Sequence, residues 1–202
     1  MRVLALDTST PTTTCALLDF TGGPAGPRGA AAWEEGARVV WEKAIEPPLK
    51  AGDVLPTALG DLDGVQGIAV GVGPGSFTGL RVGLAAAKAL AYARRLPIAG
   101  ASSLQALALD QPALVHAATE ARKGELFVQS FRRGEPASEI RIVMAEDFHD
   151  AVLRGAPPAR NVARLCLARL RGADYDAQVC FALAPNYLQG FPLQGVPWRG
   201  RR

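Results

Sequence analysis

Apolar residues in this chain fall into short runs separated by glycine, proline and hydroxyl residues. Residues 2–7 (RVLALD) form an apolar run closed by an acid, and 13–19 (TTCALLD) a second run of threonine and aliphatic side chains. Residues 8–12, with Pro11 among them, join the two runs. The pair reads as a β-hairpin with its turn at DTSTPT. Residues 36–42 read as a third strand. Residues 67–72 (GIAVGV) read as a buried strand, because the apolar run is continuous and bounded by turn residues. A long helix is expected over 78–95, stopped by Pro97 and followed by a strand at 97–101. Ser102 or Ser103 caps a further helix. Strands at 113–119 and 124–131 are joined by an ARKG turn in which Gly124 supplies a permissive backbone. A strand at 139–143 and helices near 145–153 and 158–170 follow. Residues 51–60 allow a short helix weakened by Pro56. The glycine- and proline-rich stretch 21–32 reads as a flexible loop and 190–202 as a frayed tail. This order predicts an α/β protein of two lobes, 1–100 and a smaller 101–202.

Composition narrows the function classes. A chain of 202 residues, 49% hydrophobic and 20% charged, buries a core without disulfides or metals. No stretch approaches the roughly 18 uncharged apolar residues of a membrane span. The N-terminus lacks a signal-peptide pattern, so a cytoplasmic address is expected. Cys15, Cys166 and Cys180 are odd in number and spaced for neither a disulfide framework nor a zinc site; they read as buried thiols. His116 and His149 lie too far apart for an obvious metal site. A net charge of +3 permits RNA contact without demanding it. The basic residues are scattered, apart from Arg94-Arg95, Arg132-Arg133 and the arginines of 199–202. A direct RNA-binding face is the weaker reading.

The segment 71–88 (GVGPGSFTGLRVGLAAAK) joins a strand to a helix through a glycine-rich loop. Backbone N–H groups at such a helix start suit an anion. The known fingerprints fail, however. No Gly-Lys-Ser/Thr triplet follows the glycines. The third glycine of the dinucleotide pattern is Ser76 in one register and Thr78 in the other. A hydrolase elbow needs glycine two residues either side of the serine, where Ser76 has Pro74 and Thr78. A Ser76 nucleophile also needs a base. Only His116, His149 or a lysine could serve, so a serine peptidase is the least supported activity. A tight turn with a cap from Ser76 or Thr78 stands beside anion binding at Gly73, Gly75, Ser76 and Thr78. The turn Asp7-Thr8-Ser9-Thr10 could order a metal-bound water or a phosphate. It reads more readily as a turn that satisfies its own backbone. A small-molecule kinase or ATPase would need a second acid near the phosphates and an adenosine-binding glycine motif, and neither is legible.

Between Val82 and Ala93 the only charge is Lys88, with Arg81 seven positions earlier on the same stripe. A surface helix normally carries one apolar stripe and a broad polar face. This one is apolar nearly all round, and its glycines and alanines allow close approach. It is either core or a helix–helix interface, with Leu80, Arg81, Leu84, Ala85, Lys88, Ala89 and Tyr92 as the candidate contact residues.

Asp7-Thr8-Ser9-Thr10 after the first strand, GVGPGSFTGLRVGLAAAKALA at 71–91 and Ala101-Ser102-Ser103-Leu104 resemble the TsaB (YeaZ) family. The GPGSFTGLR string at 73–81 is long and specific. Residues 120–127 (EARKGELF) are similar to the family's Asp-Ala-Arg-x-Gly-Glu-Val-Tyr turn, and Pro185-Asn186-Tyr187-Leu188 to its Pro-x-Tyr-Leu. The resemblance implies a degenerate, two-lobed actin/hexokinase/Hsp70-like (ASKHA) fold. It also implies a non-catalytic scaffold or activating subunit bound to TsaD, which carries the metal and transfers threonylcarbamoyl to the adenosine beside the tRNA anticodon. TsaE, an ATPase, and the enzyme making threonylcarbamoyl-adenylate act with them. On this reading the chain alone is a homodimer, touches tRNA only through the complex, and has no intrinsic cofactor, metal or catalytic residue. ATP or ADP is expected at the interface with TsaD. Arg122 joins Asp7, Thr8, Ser9, Thr10, Gly73, Gly75, Ser76 and Thr78 as nucleotide- or anion-proximal. Departures are Lys50 near the family's usual histidine, Glu120 for its usual Asp, and a trimmed second lobe. The changes around 49–60 bear on partner contacts rather than on the fold.

Overall fold

The structure, a computed structural model, describes residues 1–21, 36–47, 50–122 and 124–188. Apart from Thr21, the loop expected at 21–32 lies outside the described residues, as does the tail expected over 190–202. Strands β1 (Arg2–Asp7) and β2 (Thr13–Phe20) form the expected antiparallel hairpin, with Asp7 opposite Thr14. β3 (Ala37–Ile45) pairs with β2 through a bulge at Leu17 and Leu18, while β4 (Gly67–Gly71) and β5 (Ile98–Ala101) extend the sheet in parallel. The strand order is β3-β2-β1-β4-β5.

Both faces of this sheet are covered, which is why β1 reads as an unbroken apolar run rather than an alternating one. Val3 and Ala5 pack toward α4 (Ala159–Leu170). Leu4 and Leu6 face the other way, onto α1 (Ala51–Ala58), α2 (Phe77–Arg94) and α5 (Ala177–Ala182). α2 is capped by Ser76, whose hydroxyl accepts from Gly79 N at 3.2 Å, and ends at Arg95 in a left-handed conformation. No helix among the described residues is long and apolar enough to cross a membrane. The three cysteines are free and buried, and burial pushes the Cys166 thiol up to about 12.

The second sheet repeats the plan in shortened form. β6 (Leu114–Glu120) pairs antiparallel with β7 (Glu125–Arg132), which takes β9 (Arg141–Met144) on its other side; β10 (Val152–Leu153) lies parallel to β6. The order β9-β7-β6-β10 matches β3-β2-β1-β4, with a short β8 (Glu135–Pro136) at the far end of β7. A sheet order repeated in two lobes is the ASKHA-type α/β architecture expected from the resemblance. One face of the second sheet is covered by α3 (Ser103–Ala108), through Leu104, Leu107 and Ala108. Ser102 caps α3 by accepting from Gln105 N at 3.3 Å.

Three differences from the sequence reading have physical causes. The helix expected near 145–153 is absent. Phe148 instead packs on the outer face of the second sheet, and Val152 pairs with His116, so tertiary pairing overrides local propensity. α5 and β8 were not anticipated, being only six and two residues long. α4 and α5 lie in the range expected to form the second lobe, yet they pack on the first sheet. Membership of the lobes is therefore not continuous along the chain.

Candidate functional site

The turn after β1 is built into the molecule rather than opened to solvent. Asp7 is 1% exposed. Ser103 Oγ donates to its Oδ2 at 2.6 Å, while Ser9 Oγ and Ser9 N donate to its Oδ1 at 2.6 and 2.8 Å. Burial pushes the Asp7 carboxyl above its ordinary range, opposed by the hydrogen bonds from Ser103 and Ser9. Thr8, equally buried, donates to Gly79 O at 2.7 Å. Two glycines of the loop exist for this approach. A Cβ at Gly71 would overlap the Asp7 carboxylate, and one at Gly79 would overlap the Thr8 carbonyl oxygen. Three amides in and just after the loop are also bonded within the protein. Gly73 N donates to Ser103 Oγ at 3.1 Å, Ser76 N to Ser9 O at 2.7 Å, and Gly79 N to the Ser76 hydroxyl. Ser76 is thus a cap, as one of the two sequence alternatives held.

Between the lobes lies a cleft of about 520 Å³. Ser9, Thr10, Ser76 and Thr78 line it from the first lobe. The other positions proposed from sequence do not. Asp7, Thr8, Gly73 and Gly75 are absent from the lining, and Arg122 is exposed next to the lining residue Ala121. Thr119, Glu120 and Arg154 line the cleft from the second lobe and Glu46 from the first; none was singled out from sequence as a cleft residue. Glu120 is an acid on the cleft wall that the sequence does not mark as such. It ends β6 as Asp7 ends β1, and these strands hold equivalent places in their sheets. The sequence signal was an acid closing an apolar run before a turn, hidden because the two halves share too little sequence to align by eye. Among the described residues no group of three or more His, Cys, Asp or Glu could hold a metal ion.

The outward face of α2 differs from the contact set read from sequence. Leu80 and Leu84 are buried in the first lobe and leave that set. Arg81, Ala85, Ala89 and Tyr92 are exposed, and Lys88 is half-buried with its ammonium donating to Phe181 O at 2.9 Å. Two aromatic contacts flank this strip. Phe77 meets Tyr187 with ring centroids 5.2 Å apart and carries the Arg81 guanidinium at 5.3 Å, while Tyr92 meets Phe181 at 5.8 Å. Tyr92 is 59% and Phe181 64% exposed, large for aromatic side chains. Phe181 escaped the sequence reading because α5 did.

A family model named for TsaD, tRNA N6-adenosine threonylcarbamoyltransferase, matches residues 53–177. The chain is 33% identical to the tRNA threonylcarbamoyladenosine biosynthesis protein TsaB of Escherichia coli K12 over 140 residues, 67% of this chain and 57% of that protein. It is 35% identical to the TsaB protein of Haemophilus influenzae over 146 residues, 69% of this chain and 58% of the relative. The chain thus spans less than two thirds of these curated relatives. The solved structure of YeaZ from Pseudomonas aeruginosa superposes with a TM-score of 0.68 at 26% identity, covering 93% of this chain and 99% of that one. With the family model covering most of the chain and the YeaZ fold reproduced over nearly all of it, this chain belongs to the TsaB (YeaZ) family.

Proposed function

We propose that this chain is an accessory, non-catalytic subunit of the cytoplasmic machinery that places threonylcarbamoyl on the adenosine beside the tRNA anticodon. Its task is to bind TsaD through the outward face of α2. TsaE joins through that complex and tRNA is contacted indirectly; alone, the same face pairs with a second copy. ATP or ADP belongs at the surface shared with TsaD.

One observation carries this reading. α2 exposes Arg81, Ala85, Ala89 and Tyr92 as a shallow strip between two aromatic contacts, so a facing helix can approach closely and bury Tyr92 and Phe181. The rigid seat of α2 on β4 and its two caps leave little ordering entropy to lose on docking. The inward commitments of Asp7 and Ser76 support a subunit without its own chemistry.

The test places Glu at Ala85 and at Ala89 in turn. Expected are loss of TsaD binding and of the homodimer by sedimentation, with stability changed by less than about 0.5 kcal/mol. Normal association by both variants sinks the interface. Turnover of ATP or transfer of threonylcarbamoyl by the pure chain, abolished in Asp7→Ala, sinks the non-catalytic role.

A further inference from the structure

The interlobe cleft has a donor and acceptor balance that tells what it can hold. A hydroxyl has one proton and two lone pairs. Four hydroxyls of the lining place their proton within the protein. Ser9 Oγ donates to Asp7 at 2.6 Å, Thr10 Oγ1 to Thr12 O at 2.9 Å, Thr12 Oγ1 to Glu46 at 2.7 Å, and Thr119 Oγ1 to Pro74 O at 3.0 Å. Toward a ligand these four oxygens can only accept, whereas Ser76 Oγ, which accepts from Gly79 N, keeps its proton. Glu46 and Glu120, one from each lobe, add two acceptor-only carboxylates. Neither forms an ion pair among the described residues. Against them the described lining residues include one cation, Arg154.

A polyphosphate is wrong for such a place. It brings more acceptors and more negative charge to a lining that already holds two carboxylates, and Ser76 N and Gly79 N are taken by Ser9 O and the Ser76 hydroxyl. A group rich in N–H donors and positively charged fits on both counts. Guanidinium offers five donors and ammonium three, with no acceptor. Phe77 and Leu126 supply apolar wall for an aliphatic stem. A cleft of about 520 Å³ lies within the usual size of small-ligand sites.

We propose that the cleft binds a guanidinium- or ammonium-bearing ligand through Glu46, Glu120 and the hydroxyl oxygens of the hairpin turn and Thr119. The group arrives on a free small molecule or on an arginine or lysine side chain of a protein. The proposal is independent of TsaD binding.

The folded chain is titrated by calorimetry with agmatine, spermidine, a capped arginine tripeptide, ATP and inorganic phosphate. Nuclear magnetic resonance follows the amides of Thr10 and Thr119. Agmatine or the tripeptide is expected to shift both amides at one site, with affinity about tenfold weaker in Glu120→Gln and in Glu46→Gln. Tighter binding of agmatine than of the tripeptide identifies a free ligand; the reverse identifies a protein side chain. Because both glutamates are exposed, the Gln variants should keep the wild-type melting temperature. The proposal is overturned if ATP or phosphate moves the two amides, if no amine or guanidine probe does, or if agmatine affinity is unchanged in both variants.

Discussion

Each lobe ends its first strand on an acid, and the two acids have opposite surroundings. Asp7 is sealed under Ser9, Ser103 and the start of α2, while Glu120 is exposed on the wall of the cleft. The contrast follows from the layers above and below. In the first lobe α4 covers one face of the sheet and α1, α2 and α5 the other. In the second, α3 covers one face, and among the described residues the other carries the cluster of Ala118, Leu126 and Val128 beneath Val143, Ala145, Phe148 and Val152. One strand order serves as a doubly buried core in one place and as a half-open wall in the other. What covers the sheet, and not the order of its strands, decides whether a residue at a strand end is structural or available to a ligand.

The comparison can be broken by measurement, beginning with the cores. Leu6→Ala empties a fully buried site in the three-layer lobe and should cost about 2–5 kcal/mol in urea denaturation. Val128→Ala in the thin outer cluster should cost about 1–2 kcal/mol, because the site loses less and can collapse further. Equal costs would mean that the lobes are equally packed. The turns come next. Gly79→Ala forces a Cβ onto the Thr8 carbonyl oxygen and should cost about 2–3 kcal/mol. Gly124→Ala, at φ +84° with Met144 as its nearest neighbour at 3.8 Å, should cost about 1 kcal/mol from backbone strain alone.

Smaller effects appear against pH. Asp7 has a raised native pKa, so the native state binds the proton more tightly than the unfolded chain does. Its contribution to stability is present below the ordinary Asp value of about 4 and falls as pH rises through the raised value. Asp19 behaves in the opposite sense. Hydrogen bonds from Arg2 and Arg38 hold its carboxyl well below the usual range, so its contribution is present above about pH 4 and lost as pH falls through the lowered value. Thermal unfolding across pH should show the falling limb vanish in Asp7→Asn and the acid limb shrink in Asp19→Asn. An unchanged profile in Asp7→Asn would mean that the first lobe does not seal its acid. The smallest effect is that of Ser76→Ala. Loss of the cap should cost about 1 kcal/mol while TsaD binding survives; lost binding with intact folding would make the hydroxyl functional.

Much of the frame was legible because it rests on local physics. The strand runs, the caps narrowed to Ser76 or Thr78 and to Ser102 or Ser103, the Gly124 turn and the stop before Pro97 each need only a few neighbouring residues to be understood. The string at 73–81 carried the family because its glycines and hydroxyls form a rare combination. The site was legible only in part. Ser9, Thr10, Ser76 and Thr78 line the cleft, whereas Asp7 is buried and absent from its lining.

Tertiary structure alone decided the rest. Which of Ala85, Ala86 and Ala89 faces outward depends on the phase of α2 against β4, and packing turns Ala86 toward the core. The return of α4 and α5 to the first sheet, and the placing of Glu46 and Glu120 in one cleft lining, bring together residues far apart in the chain. Local patterns reflect interactions a few residues long, so the sequence by itself determined the elements and the family. Burial, the direction of each hydroxyl proton and the company of each carboxylate are set by the surfaces brought together on folding, and no local pattern records them.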